Sequence, residues 1–340
     1  MRTGAFRVAA LGAILAAAGF AAAAPVPTAR IGGADYVSLA AAAPALGMKD
    51  SSSLLSTAVT LADSAHRVDF QAESPEIFVD GLRVFLGDPT VLHNGRLYLS
   101  RIDFERCLLP MLRPDLIAGP VPQAPRVIVI DPGHGGPDHG TENPRLGLME
   151  KTFTLDTALR LKRLLESEGY RVILTRYTDP ATKIELQIRA LIANQAGADL
   201  FISIHFNSLA PDTRTKGVEI FTFPPQGQRA SAEKSGVENE ASPVNRFDPW
   251  SVVLAQAVHR EVRAAMKTDD RGKKLRHLGV LRDLNCPGIL VEGGFLSSDS
   301  EARRIASPAY RDQLAAALAA GIRDYGRVLD GLRAAPARPQ

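Results

Sequence analysis

The chain has 340 residues, long enough for two domains that each bury a core. Charged residues make up 23% and hydrophobic ones 45%, the balance of a soluble globular protein, while a formal net charge of +3 with no Lys/Arg block excludes a nucleic-acid binder. The cysteines, Cys107 and Cys286, are too far apart for a zinc motif and are either one bridge or two buried thiols.

Arg2 and Arg7 precede an apolar run, Val8 to Ala24, that ends in small residues. This predicts an export signal over residues 1–24, with a small-x-small cleavage site at Ala23. The run is too short and too weakly apolar for a good membrane span, and no cysteine follows it to carry a lipid. The mature chain is therefore expected to be exported to the periplasm or cell envelope, with no stable membrane anchor.

Residues 28–112 read as a small α+β module with an internal echo. Gly33-Ala-Asp-Tyr36-Val-Ser38 returns as Gly95-Arg-Leu-Tyr98-Leu-Ser100, each followed by a helix-compatible stretch. Between them Ile77 to Leu86 predicts a hairpin turning at Asp80-Gly81. These paired segments around an Asp-Gly turn resemble the copper amine oxidase N-terminal-like domain, which implies a binding or spacer module, not an oxidase. His66 and His93 are lone histidines, read as surface or packing residues. Residues 113–125, with Pro114, Pro120, Pro122 and Pro125, predict a semi-rigid linker.

From residue 126 to 330 strands and helices alternate, predicting an α/β domain with a twisted, mostly parallel sheet and helices on both faces. Val127–Ile130 is a β-branched run that reads as a strand buried on both sides and stopping at Asp131-Pro132. Four glycines follow, among two imidazoles and two carboxylates, Asp131, His134, Asp138 and His139. The glycine spacing fits no phosphate-binding loop; a turn of merely solvated histidines is the plainer alternative. The next helix, 153–168, places Leu155, Ala158, Leu159 and Leu165 on one stripe. Helix 184–196 is expected to bury Ile188, Leu191 and Ile192, with Arg189 anchoring it to its surroundings. Leu200–Ile204 ends in His205 and Ile289–Val291 in Glu292. Residues 224–249 lack periodicity and predict a long functional or mobile loop. Two further helices, 250–266 and 310–329, close the fold, and residues 331–340 are expected to fray.

If the three strands ending in Asp131/His134, His205 and Glu292 are parallel neighbours, their carboxyl ends meet in one crevice. Imidazoles and carboxylates converging there suit a catalytic metal with an open position, the alternative being a polar sheet end with no metal. Pattern alone does not choose among Asp131, Asp138, His139 and Glu150 as the further ligand.

"VIVIDPGHGG", "GLMEK", "DLFISIHFNS", "GVEIF" and "ILVEGGFLSS" stand in the order and spacing of the zinc-dependent N-acetylmuramoyl-L-alanine amidases, the amidase_3 family, which residues 126–325 resemble. The resemblance implies one Zn²⁺ on His134, Glu150 and His205, with Glu292 as catalytic carboxylate. Asp131 is then a group that orients a ligand or the loop, His139 a bystander, and Asn207 a residue that meets substrate or satisfies the turn. It implies peptidoglycan as partner and hydrolysis of the bond between N-acetylmuramic acid and L-alanine, with room left by glycines around His134 and at Gly293-Gly294. Another exported zinc hydrolase, such as a peptidase or deacetylase, and an inactive wall-binding protein are the rival readings. Some relatives carry near 224–249 an insert that covers the metal until a protein activator withdraws it. Here the segment lacks a docking helix's apolar stripe and is expected to be a mobile rim of the groove, though Glu238 and Glu240 are within reach of a metal.

Overall fold

The computed structural model describes residues 26–51, 56–231 and 236–335. Residues 1–24, the expected export signal, lie outside the described residues. No helix among them is long and apolar enough to cross a membrane.

The first unit runs β1 (Thr28–Ile31), β2 (Ala34–Ser38), α1 (Leu39–Leu46), β3 (Lys49–Asp50) and β4 (Ala58–Ala62). It continues with β5 (Arg67–Gln71), β6 (Glu76–Val79), β7 (Leu82–Phe85), β8 (Val91–His93) and β9 (Arg96–Ser100). A helical stretch closes it: α2 (Arg101–Asp103), a π-helical turn and α3 (Leu109–Leu112). The sequence echo has a structural meaning. Its two copies are β2 and β9, paired antiparallel with Val37 opposite Leu99. The serine ending each copy caps the helix that follows, Ser38 accepting from the Ala41 N–H and Ser100 from the Asp103 N–H. The expected hairpin is β6–β7, turning through Asp80 and Gly81 at φ 52° and 78°.

The second unit begins with β10 (Val127–Pro132), β11 (Glu142–Asn143), β12 (Leu148–Met149), α4 (Glu150–Ser167), β13 (Arg171–Leu174) and α5 (Leu186–Gln195). Then come β14 (Leu200–Asn207), β15 (Val218–Thr222), α6 (Asp248–Met266), β16 (Asp270–Leu275) and α7 (Gly279–Arg282). It ends with β17 (Gly288–Phe295), α8 (Asp299–Ala306) and α9 (Pro308–Ala334). Its sheet has the order β13-β10-β14-β17-β15-β16, parallel except where β15 meets β17. Helices α4, α6 and α9 cover one face through Ile128, Ile130, Ile202, Ile204 and Val291. On the other face α5 and α7 cover Val129, Phe201, Phe221 and Leu290. The mostly parallel α/β sheet is as the strand pattern predicts.

Four details differ from expectation. β10 does not stop before Pro132: Asp131 and Pro132 stay in register with Ser203 and Ile204. The inward face of α5 is Arg189, Ala190 and Ala193, while Ile188 and Leu191 are 46% and 45% exposed. Buried polar contacts of Arg189, described below, set that orientation against the apolar stripe. Residues 331–334 do not fray but continue α9, and Arg333 donates to the Val121 carbonyl. The described part of the 224–249 loop is pinned. Gln228 is buried and donates to Asp103, and Glu238 pairs with Arg282 at 3.1 Å. Glu238 is thereby turned to a surface arginine and takes no part in the metal group described below.

The two units have their own cores, with Val252 of α6 packing into the first, and share one sheet. β7 pairs parallel with β16 at Val84–Lys273, so the ladder continues through β7-β6-β5-β4-β3. Asp270 locks the junction: Oδ2 accepts the Arg83 N–H at 3.0 Å, and Oδ1 meets buried His259 at 2.7 Å. The 113–125 segment lies against the second core through Ile117 and Val121. The expected boundary is a change of core, not a break in the sheet.

Cys107 and Cys286 are both free and buried, in different cores. Burial pushes the Cys286 thiol up to about 12. Thiol titration without reductant is expected to find neither group in the native protein and both, 2 per chain, after denaturation.

Candidate functional site

The site is built on the end of β10. Asp131 is buried there and accepts from Thr175 Oγ1 at 2.5 Å, Ser203 Oγ at 2.7 Å and Arg189 Nη1 at 2.6 Å. Burial works against its charge, but the Arg189 guanidinium and the hydroxyls outweigh it and hold the carboxyl below its usual range. Arg189 also donates to the carbonyls of Pro132 (3.0 Å) and His134 (2.8 Å). Arg176 grips the other side through the carbonyls of Pro132 and Gly133, both at 2.9 Å. Two buried arginines thus fix the backbone on either side of His134, which sits at φ 61°, a region costly for a residue with a Cβ.

The β11–β12 hairpin carries the chain back so that α4 starts beside this loop. Its first residue, Glu150, is buried. Glu150 Oε2 accepts the Thr141 N–H at 2.7 Å and Oε1 accepts the Phe206 N–H at 2.9 Å. Three ligand atoms then face one another. His205 Nδ1 lies 3.1 Å from His134 Nε2 and 2.9 Å from Glu150 Oε1, and His134 Nε2 lies 3.2 Å from the same oxygen. A tetrahedral ion with bonds of ~2.05 Å separates its ligands by about 3.3 Å, so this triangle has the size of one face of such a site. His134 Nδ1 donates to Asp138 Oδ1 at 2.9 Å, which leaves Nε2 as a lone pair aimed at the centre. Although burial opposes it, Glu150 and then Asp138 raise the His134 proton affinity; the group draws in positive charge. His134, Glu150 and His205 can hold a metal ion.

Glu292 stands in the next strand, in ladder register with His205 on one side and Glu219 on the other. Its Oε2 is buried with no hydrogen-bond partner among the described residues. Burial, then the negative charges of Glu150 and Glu219, lift its carboxyl well above the usual range. Glu219 is itself held by Arg271 (2.9 Å), Lys274 (2.8 Å) and Asn207 (2.9 Å).

The expected residues fall into distinct places. His134, Glu150 and His205 converge, and Glu292 adjoins them. Asp131 stands behind the loop. Asn207 is engaged with Glu219, and His139 is turned away to Glu142. Three residues escaped the sequence reading: Arg176, Asp138 as partner of His134, and Glu219. The glycines also act differently from the expected room for substrate. A Cβ on Gly133 would sit 2.2 Å from His205 Cε1, and one on Gly140 2.6 Å from Glu150 Oε2. They make room for the ligands themselves. Gly293 likewise faces Leu314 of the core.

The second unit resembles proteins of known family and fold. Residues 128–324 match the family model Amidase_3, N-acetylmuramoyl-L-alanine amidase. The germination-specific N-acetylmuramoyl-L-alanine amidase of Bacillus subtilis is 30% identical over 60% of this chain and 81% of its own length. The amidase AmiA of Escherichia coli is 30% identical over 62% of this chain and 79% of its own. The crystal structure of an N-acetylmuramoyl-L-alanine amidase from Clostridium difficile 630 covers 60% of this chain and 97% of that one, with 32% identity and a TM-score of 0.50.

Two substitutions probe the frame. Asp131→Asn leaves Arg189 buried without its counter-charge and is expected to cost about 3–5 kcal/mol in denaturant unfolding. Gly133→Ala pushes the His205 ring aside, and competitive metal titration is expected to show affinity lower by about 10- to 100-fold.

Proposed function

Since the chain belongs to the N-acetylmuramoyl-L-alanine amidase family, Amidase_3, it is a peptidoglycan hydrolase, and we propose that it acts with one zinc ion on His134, Glu150 and His205 and with Glu292 as proton carrier. What supports this reading is the triangle of ligand atoms beside a buried carboxylate with an unpaired oxygen. Two imidazoles and one carboxylate suit a four-coordinate ion with one open position. Bound there, zinc supplies a Lewis acid that polarises the amide and lowers the pKa of water from ~15.7 towards ~7.

The chain's own residues do the rest. Asp138 fixes the His134 tautomer, and the Thr141 and Phe206 N–H groups fix both oxygens of Glu150. Glu292 takes a proton at its free oxygen from the attacking water. It returns that proton to the alanine nitrogen as the bond between the lactyl carbonyl and L-alanine breaks. Its raised proton affinity serves both steps, because a carboxylate of ordinary pKa gives a proton readily but takes one poorly. The Glu219 charge beside it sustains that affinity. Export through residues 1–24 would bring the enzyme to the cell wall in the periplasm or envelope.

Glu292→Gln is expected to keep about one zinc per chain and to lose turnover by about 10²–10⁴-fold, since a base is removed but no ligand. His205→Ala is expected to lose both. Mass spectrometry of digested sacculi gives the decisive product, stem peptides with free amino-terminal alanine. A glycan missing only acetyl groups, or peptides cut elsewhere, would replace this reading with a deacetylase or a peptidase.

A further inference from the structure

The face of the sheet that carries Glu292 does not end with the second unit. Glu219 passes its contacts to Lys274 and Arg271, and Lys274 Nζ lies 5.1 Å from the centre of the Phe85 ring in β7. Arg83 lies over the same ring at 5.0 Å and donates to Glu76 Oε2 at 2.5 Å. Arg83 is the ladder partner of Phe78, which is 41% exposed. Side chains alternate along strands, so Glu219, Lys274, Phe85, Arg83 and Phe78 project from one face, and Arg271, beside the register shift in the β15–β16 pair, reaches Glu219 on it, while Val84, Ile77 and Val79 point into the first core. From Glu292 in β17 to Phe78 in β6 is four strand steps, roughly 19 Å at ~4.8 Å each.

A single exposed aromatic is ordinary on any protein surface. Here the aromatic shares a sheet face with Glu292, with the contacts of Glu219, Lys274, Phe85 and Arg83 lying between them, on a sheet whose junction is locked by Asp270. We propose that this face is a subsite for the glycan strand of peptidoglycan. Sugar rings lie on Phe78, and Arg83 and Arg271 offer their remaining donors to the polymer's carboxylates and acetamido oxygens. The proposal rests on the amidase reading and adds to it that the first unit is part of the substrate platform, favouring intact wall over short fragments.

Kinetics on two substrates test it: purified sacculi, and a soluble disaccharide–peptide too short to reach from Glu292 to β6. In Phe78→Ser and Arg83→Ala the ratio of kcat/KM on sacculi to kcat/KM on the fragment is expected to fall about five- to twentyfold, through KM. An unchanged ratio overturns the proposal. So does an equal loss on both substrates, which assigns the two residues to the fold. Each variant is checked by its zinc content and unfolding curve, and if one fails to fold the other decides alone. A wild-type chain that hydrolyses neither substrate removes the amidase reading instead. Co-sedimentation with sacculi then decides the surface by itself: weaker in the variants if the proposal holds, equal to wild type if it does not.

Discussion

The buried pair of Asp131 and Arg189 is the constraint on which the site depends. Neither charge has water to fall back on, so each is tolerable only with the other in place and the remaining donors satisfied. Arg189 meets that requirement by donating to the carbonyls of Pro132 and His134. The backbone is thereby held where His134 must adopt a left-handed conformation and aim its ring across the strand end. Arg176, donating to neighbouring carbonyls, removes the freedom that would let the loop relax. The placement of His134 is thus set by an ion pair one layer below it, not by the residues its ring meets.

This explains which parts were legible in the sequence. Val127–Ile130, Leu200–Ile204 and Ile289–Val291 announce themselves because a strand buried on both faces has to be an unbroken apolar run. The residues that end such runs are naturally suspected. Glu150 could not be chosen that way: it opens a helix, and what returns it to His134 is a hairpin of two-residue strands with no periodic signal. Glu219 was hidden for a different reason. A lone charge inside an apolar strand reads as an outward-facing residue, whereas here the outward neighbour is Glu292. Helix α5 misled in the opposite direction. Its apolar stripe suggested burial of Ile188 and Leu191, but a buried arginine with four acceptors decides the rotation more strongly than two exposed aliphatic side chains resist it.

The Pro-rich segment 113–125 and the split into two cores both point to separable domains. The backbone ladder overrides them. Pairing at Lys273–Val84 and the Asp270 acceptor cost the first unit the freedom of an ordinary tethered module. Lys273 underlines this: fully buried, with Nζ 3.7 Å from Cys107, it is a residue of the second unit solvated by the first. A lysine is rarely placed so unless the surface around it is permanent.

Glu150 and Glu292 show how one sheet end treats two carboxyl groups in opposite ways. Both are buried carboxylates, and burial alone would protonate both. Glu150 is rescued by two imidazoles and two backbone N–H groups, which hold it well below the usual range. Glu292 receives the reverse treatment, with an oxygen left unpartnered and two carboxylates as neighbours. One strand step separates His205, which faces Glu150, from Glu292. Over that distance the surroundings split a single residue type into a carboxyl group held in its charged form and one pushed towards its neutral form. The division needs no exotic residue. It needs donors aimed at one carboxylate and withheld from the other, which is what the register of β14, β17 and β15 supplies.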